Sequence, residues 1–210
     1  MSNRTVAVAA GAIALAVAAL LGYMGYAAAQ KRAQQRHVKE LVVDTTEKLR
    51  QVLVAKAAPD LVAPLDENLK SARAPRDPKL ADAAEHYILG AREIARRRAK
   101  IDALSRQAAS SRQALATHMA HASRRGTGWM DQAIALKKRV EDDHFNLSVE
   151  LKALDELLLT LPDAEGRLAP HLGREVLVDE NLRVSARKQT QDQLRRAADD
   201  LEASRRLNLR

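Results

Sequence analysis

The chain has 210 residues, a net charge of +8 and a pI near 10.0. It contains no cysteine, which excludes disulfides, thiolate catalysis and cysteine-ligated metals. Only 2% of its residues are aromatic and 30% are charged, whereas a compact sheet core uses aromatic and β-branched side chains heavily. The abundance of Ala, Leu and charged residues therefore predicts an all-α protein made of long helices packed side by side.

The first hydrophobic segment covers residues 6–29, which include no charged residue and no proline. A helix of that length can span a hydrocarbon core of about 30 Å, so we expect a short tail at 1–5 and one transmembrane anchor at 6–29. Small residues recur every four positions, and such a face lets two helices approach closely, although an alanine-rich helix has small residues on every side. This small-residue face consists of Ala10, Ala14, Ala18 and Gly22.

A cleaved signal peptide is the alternative to an anchor. Residues 27–29 are three alanines and resemble a signal-peptidase site. The apolar stretch is longer than the usual core of about 7–15 residues, and a strongly basic segment follows it. Both features favour the anchor.

Four basic residues follow the hydrophobic segment and are opposed only by Glu40. They are Lys31, Arg32, Arg36 and Lys39. Because the side of a membrane helix richer in Lys and Arg tends to stay in the cytoplasm, we expect a single-pass protein of a bacterial inner membrane with a cytoplasmic body. A periplasmic body is the close alternative, since a short N-terminal anchor often exports the domain attached to it.

Residues 30–78 are expected to form a juxtamembrane helix and a proline-rich connector. Apolar spacings of three and four predict a helix from about Lys31 to Ala57, continuous with the membrane helix. A short helix is expected between 58 and 78. Asp77 before Pro78 is a helix start signal, with Asp as the N-cap and Pro in the first turn.

Residues 79–162 are expected to form a long antiparallel helical hairpin. Its first helix is predicted to reach about Ser123, and the break at 124–128 contains two glycines. Thr127 is predicted to cap the second helix, and Pro162 to end it. The second helix carries a heptad-like seam. The seam residues that we expect to pack are Val140, Leu147, Leu151, Leu154, Leu158 and Leu161. A helical bundle and an extended coiled-coil hairpin both fit this pattern.

Residues 163–210 are expected to form a mixed connector to about Val178 and then an amphipathic helix from about Glu180 to Leu207. The charged side of that helix has oppositely charged residues four apart. These pairs are Arg195–Asp199, Arg196–Asp200 and Glu202–Arg206.

Two histidine motifs have metal-ligand spacing, but neither predicts a metal site. His118 and His121 lie three apart on a helix, and Glu141 with His144 forms one Glu-x-x-His pair. A di-iron bundle needs two such pairs and two further glutamates. His144 also falls on the leucine seam, where a packed neutral histidine is the simpler interpretation, so no metal and no cofactor is expected.

Basic residues are concentrated in the middle of the first hairpin helix. They are Arg92, Arg96, Arg97, Arg98 and Lys100. An anionic partner is one interpretation, and a solvated charged face is the other and the more usual. Nucleic acid is not expected as a partner, because stacking aromatics are nearly absent.

No catalytic motif occurs in the sequence: Gly-rich nucleotide loops, His-Glu-x-x-His and Gly-x-Ser-x-Gly are all missing. The sequence therefore predicts a non-catalytic, membrane-anchored helical scaffold or protein-interaction module that acts through its leucine seam. Its expected partners are the lipid bilayer and a second copy or another helical protein. The alternative is a periplasmic sensor or adaptor bundle that binds a ligand or a cell-envelope partner.

Overall fold

The computed structural model describes residues 3–55, 60–72, 77–121 and 127–207, with side chains described from Leu20 onward. These residues form five α-helices, one short 3-10 turn and no strand. The helices are α1 (Asn3–Val54), α2 (Val62–Ala72), α3 (Pro78–Ala120), α4 (Trp129–Leu172) and α5 (Glu180–Arg206), and the 3-10 turn is Arg174–Val176. The predicted all-α helical bundle is confirmed.

The central unit is the antiparallel hairpin of α3 and α4. As residue numbers rise along α3, the numbers of the residues that they contact on α4 fall: Lys100 contacts Glu150 and Gln107 contacts Asp143. Helix α3 begins as predicted, since the Asp77 carboxylate accepts hydrogen bonds from two backbone amides of the first turn and Pro78 follows it.

The other helices pack along the two sides of this hairpin. Helix α5 runs antiparallel to α4, and α1 runs parallel to α3, because Thr46 lies against Tyr87 and the carbonyl of Ala55 lies against Arg98. One continuous core joins the C-terminal half of α1 to all four other helices. Its largest fully buried side chains lie in all these helices except α5; among them are Leu49, Leu65, Tyr87, Ile94, Leu154 and Leu168.

The predicted end of α4 at Pro162 is wrong, because the helix continues through Pro162 and Pro170 to Leu172. A proline inside a helix costs about 3 kcal/mol through its missing N–H and its clash with the preceding turn. Burial of apolar residues beyond Pro162 offsets that cost. Leu168 is fully buried and Leu172 is 7% exposed, and each buried leucine contributes about 1.5–3 kcal/mol. The mixed connector is correspondingly shorter than 163–178.

The predicted cap of the second hairpin helix is also wrong. The N-cap of α4 is Gly128, whose φ is 85°, and no side chain caps the helix. A positive φ is accessible to glycine at little cost, so α4 begins after Gly128 without a hydrogen bond from the Thr127 hydroxyl. Arg124, Arg125 and Gly126 lie outside the described residues.

The N-terminal half of α1 extends away from the bundle. Every side chain from Leu20 to Ala29 is exposed, and the first core residue of this helix is Val38. The predicted helix is confirmed from Lys31 to Val54 as part of α1, and the last two residues of the predicted range, Lys56 and Ala57, lie outside the described residues.

Among the residues whose side chains the structure describes, from Leu20 onward, no helix has a stretch long and apolar enough to cross a bilayer. The side chains of Ala10, Ala14 and Ala18 in the predicted small-residue face lie outside the described residues. Gly22 is described, and no atom lies within 4 Å of the position that its Cβ would occupy.

Candidate functional site

The leucine seam of α4 lies inside the protein's own core. All six predicted seam residues are buried, with exposures between 0% and 8%. They are Val140, Leu147, Leu151, Leu154, Leu158 and Leu161. A partner would reach them only after α3 and α5 had separated from α4, so the seam stabilises the fold and is not a free docking surface.

The basic run of α3 is an internal ion-pair network. Arg97 and Lys100 each donate to Glu150 of α4 at 2.5 Å, and Arg97 also donates to Glu93 at 2.8 Å. Burial alone would raise the pKa of Glu150, but the hydrogen bonds from Lys100 and Arg97 outweigh it and lower that pKa. Arg92 pairs with Asp66 of α2. Arg92, Arg97 and Lys100 thus pair with other helices of the protein, whereas the exposed Arg96 lies 3.6 Å from Glu93 of its own helix.

Arg98 has a different position from its neighbours, because it is only 4% exposed. Its Nη2 donates to the carbonyl of Ala55 at 3.0 Å. That carbonyl lies directly after α1, where helix carbonyls lack intrahelical partners. Arg98 therefore holds the C-terminal end of α1 against α3.

The histidines do not converge on a common point. The ring of His118 stacks on Trp129 with centroids 5.0 Å apart, and its Nε2 lies 3.0 Å from the Trp129 carbonyl. His121 contacts the carbonyl of Thr117 in its own helix. Among the described residues no group of three or more His, Asp or Glu side chains is arranged to hold a metal ion.

His144 is buried, as its place on the seam predicts, with 3% exposure and no hydrogen-bond partner for either ring nitrogen among the described residues. Burial lowers the pKa of His144, and Arg112 lowers it further, while Asp200 and Asp143 act in the opposite direction. The neutral ring packs where α3, α4 and α5 meet.

A cavity of about 420 Å³ lies where the C-terminal part of α4 meets the start of α5. Its most buried charge is Glu165, which pairs with Arg183 and leaves its Oε1 without a hydrogen-bond partner among the described residues. Burial raises the pKa of Glu165, and the nearby Arg183 opposes that rise. Arginines and carboxylates both line the cavity in similar numbers, so its charge selects no ligand class.

A buried polar contact ties α1 to this end of the bundle. Thr46 Oγ1 donates to the Val176 carbonyl at 2.8 Å, and Tyr87 OH lies 2.8 Å from the same Oγ1. Since the threonine hydroxyl has one proton, Tyr87 is the donor in the second bond. Burial raises the pKa of Tyr87 well above its ordinary value, so the phenol stays protonated and keeps this bond.

Sequence reasoning missed Glu165 because it ended the helix at Pro162. The signal was present, since Leu161, Glu165, Leu168 and Leu172 continue the seam's spacings of four and three. A glutamate at a core position of a heptad pattern points to a buried ion pair.

The predicted membrane-proximal residues lie on the extended part of α1. Lys31, Arg32 and Arg36 are exposed and make no ion pair with another described residue. Lys39 lies 3.9 Å from Glu175 in the 3-10 turn. Three free cations thus follow the exposed apolar segment directly.

Large apolar side chains project from most of the circumference of that segment. They are Leu20, Leu21, Tyr23, Met24 and Tyr26, all 60–71% exposed. Successive residues of a helix are offset by about 100°, so these five positions cover roughly 220° of the circumference. The remaining sector holds Gly22, Gly25 and Ala29, so no charged residue lies on any side. No family model, curated protein or solved structure matches the chain, and its function is therefore inferred from these surfaces alone.

Proposed function

We propose that this protein is a non-catalytic helical scaffold that is anchored to a bacterial inner membrane through the N-terminal part of α1. The single observation that carries the proposal is the ring of exposed, uncharged residues between Leu20 and Ala29, five of which have large apolar side chains. A helix that is apolar all round is stable only in lipid or inside a larger protein assembly.

The sequence on both sides of this ring supports a lipid environment. Residues 6–29 have no charge, and a helix satisfies its own backbone hydrogen bonds, which lipid cannot do. The basic cluster of Lys31, Arg32 and Arg36 follows at the position where a bilayer surface would lie. Each such charge contributes about 1 kcal/mol of attraction to an anionic leaflet.

This basic cluster also favours a cytoplasmic body, by the tendency of Lys and Arg to remain on that side. A reporter fused after Arg210 that is active only outside the cytoplasm would contradict this orientation. The scaffold role itself is supported by the contacts within the body. Its concentrated charges form ion pairs between helices, and its apolar seam is buried between them. Among the described residues, these contacts form no catalytic arrangement.

Flotation with phospholipid vesicles tests the anchor. We expect the full chain to float with vesicles of neutral and anionic lipids and to remain bound in high salt and in alkaline carbonate. A double Leu20→Arg, Leu21→Arg variant should stay in the aqueous fraction, because each arginine costs roughly 2.5–3.5 kcal/mol near the centre of a membrane helix.

The control is Val54→Arg, which places one arginine on a 69% exposed apolar residue at the other end of α1. This variant should float like the parent protein. Release of the parent protein by salt alone would indicate electrostatic binding to the membrane surface and contradict an anchor. Flotation of the double variant would disprove the role of the apolar ring.

A further inference from the structure

The outward face of α4 carries a second set of apolar residues that the chain leaves uncovered. They are Ile134, Phe145, Val149 and Leu159, all 46–55% exposed. With 3.6 residues per turn, these four positions lie within about a quarter of the helix circumference. They form one stripe opposite the leucine seam, and we call it the α4 outer face.

Charged residues fill the gaps in the same sector of the helix. They are Lys138, Asp142, Lys152 and Glu156, all exposed. None of the four makes an ion pair or a side-chain hydrogen bond with another described residue. In contrast, Glu150, Asp155 and Glu165 on other sides of α4 all pair with α3 or α5.

The pattern of this face is self-complementary about position 147. Phe145 and Val149 lie two residues on either side of that position. Asp142 and Lys152 lie five residues on either side, and Lys138 and Glu156 lie nine. In two antiparallel helices that cross at position 147, each residue therefore meets a residue of matching chemistry on the other copy.

We propose that a second copy of this chain docks antiparallel on the α4 outer face and forms a two-fold dimer. Phe145 of each copy packs on Val149 of the other, and four intermolecular ion pairs flank this centre. Ile134 and Leu159 of opposite copies meet near both ends of the contact. An isologous interface of this kind requires one surface that is complementary to itself.

A parallel arrangement of the two helices is disfavoured by the same charges. It would place Lys138 against its own counterpart, and Lys152 and Glu156 likewise. Facing like charges are destabilising, whereas the antiparallel register faces every one of these residues with an opposite charge.

The dimer has a geometric consequence for the proposed scaffold, and this step rests on the proposed function. Because α1 runs parallel to α3, its N-terminal part leaves the bundle near Leu172, about 37 Å from position 147 along α4. The two apolar segments of the dimer then leave at opposite ends and point away from each other. Two anchored copies that are joined in this way connect two bilayers whose surfaces face each other.

Charge reversal in the full-length chain tests the dimer, with sedimentation in a non-ionic detergent as the measurement. We expect the parent protein to sediment as a dimer at micromolar concentration. The acidic variant Lys138→Glu, Lys152→Glu and the basic variant Asp142→Lys, Glu156→Lys should each be monomeric, while an equimolar mixture should form the heterodimer. A monomeric parent protein, or two variants that dimerise alone, would overturn the proposal.

Helix orientation is tested by disulfide crosslinking, which is clean because the chain has no cysteine of its own. Lys138→Cys mixed with Glu156→Cys should crosslink across the antiparallel interface. Lys138→Cys alone should not, since its two copies would be about 27 Å apart along the helices. The reverse result indicates a parallel dimer and contradicts the proposed register.

A packing variant separates this proposal from membrane anchoring. Phe145→Asp should abolish dimer formation. It should therefore no longer cluster vesicles, which the dimer does by binding one vesicle at each end. It should still float with vesicles as the parent protein does. Val184→Asp, which alters a 59% exposed residue of α5 away from this face, should preserve all three properties. If Phe145→Asp remains dimeric with normal helix content, the α4 outer face is not the interface, whatever flotation shows.

Discussion

Single buried polar residues join the helices of this bundle at defined points. Arg98 is one of them, since its buried guanidinium donates to the carbonyl of Ala55, directly after the end of α1. Arg96, two residues away, is exposed and lies 3.6 Å from Glu93 of its own helix. Position in the helix, not residue type, decides what each arginine contributes.

Arg98→Met should lower the free energy of unfolding by about 1–3 kcal/mol, because it leaves the partly buried Ala55 carbonyl without its donor. Arg96→Met should change it by less than about 0.5 kcal/mol, as expected of an exposed position. Urea unfolding followed by circular dichroism measures both values. Equal effects of the two substitutions would show that Arg98 does not support the end of α1.

His144 couples stability to pH through its burial. Its pKa is lowered in the folded protein, so below the unfolded value of about 6.5 the unfolded chain binds more protons and gains stability relative to the fold. Stability due to this residue is therefore complete at neutral pH and is lost as the pH falls below about 6.5.

His144→Leu should reduce the loss of unfolding free energy between pH 7.5 and pH 5.5, compared with the parent protein. The measurement is urea unfolding of this variant and of the parent protein at both pH values. An unchanged pH dependence in His144→Leu would mean that the ring binds protons equally in the folded and unfolded states, so that burial does not lower its pKa.

Among the elements, α4 combines features that sequence patterns usually assign to separate helices. It begins at a glycine with positive φ, passes two prolines and one internal glycine, and ends at Gly173. Its helicity after Pro162 depends on burial of Leu168 and Leu172 and on the Glu165–Arg183 pair. Local helix propensity favours a break at Pro162, but the free energy gained from tertiary packing is larger and keeps the helix continuous.

Gly166→Ala should stabilise the protein by about 0.5–1 kcal/mol, because glycine inside a helix carries an entropic cost and the new Cβ meets no atom within 4 Å. Gly128→Ala should instead destabilise it, since its φ of 85° is strained for alanine. Thermal unfolding of both variants tests the pair. Destabilisation by Gly166→Ala would show that α4 is not a regular helix at this position.

At the scale of the whole molecule, the charges fall into two sets with different uses. Those that face neighbouring helices are paired, as Glu150 is with Arg97 and Lys100. Those of Lys31, Arg32 and Arg36 on α1 and those of the α4 outer face are unpaired among the described residues. The first set holds the bundle together, and the second set lies beside the exposed apolar residues on which both proposals depend.

The sequence by itself determined the helical fold class, the helix start at Asp77, the hairpin reversal near Gly128 and the buried seam of α4. These features follow from local rules, because apolar periodicity, capping and turn chemistry act over a few residues. The same rules failed at Pro162 and Thr127, where burial and backbone conformation compete with the local preference.

Only the tertiary structure decided which helix each charge faces. Arg97 and Arg98 are adjacent in the sequence, yet one pairs with Glu150 across the hairpin and the other caps α1 from the core. The difference arises because contacts between residues 43 to 53 positions apart depend on how the helices pack, and no pattern within one helix specifies that packing. The separation of a buried leucine seam from an exposed outer face on α4 has the same origin.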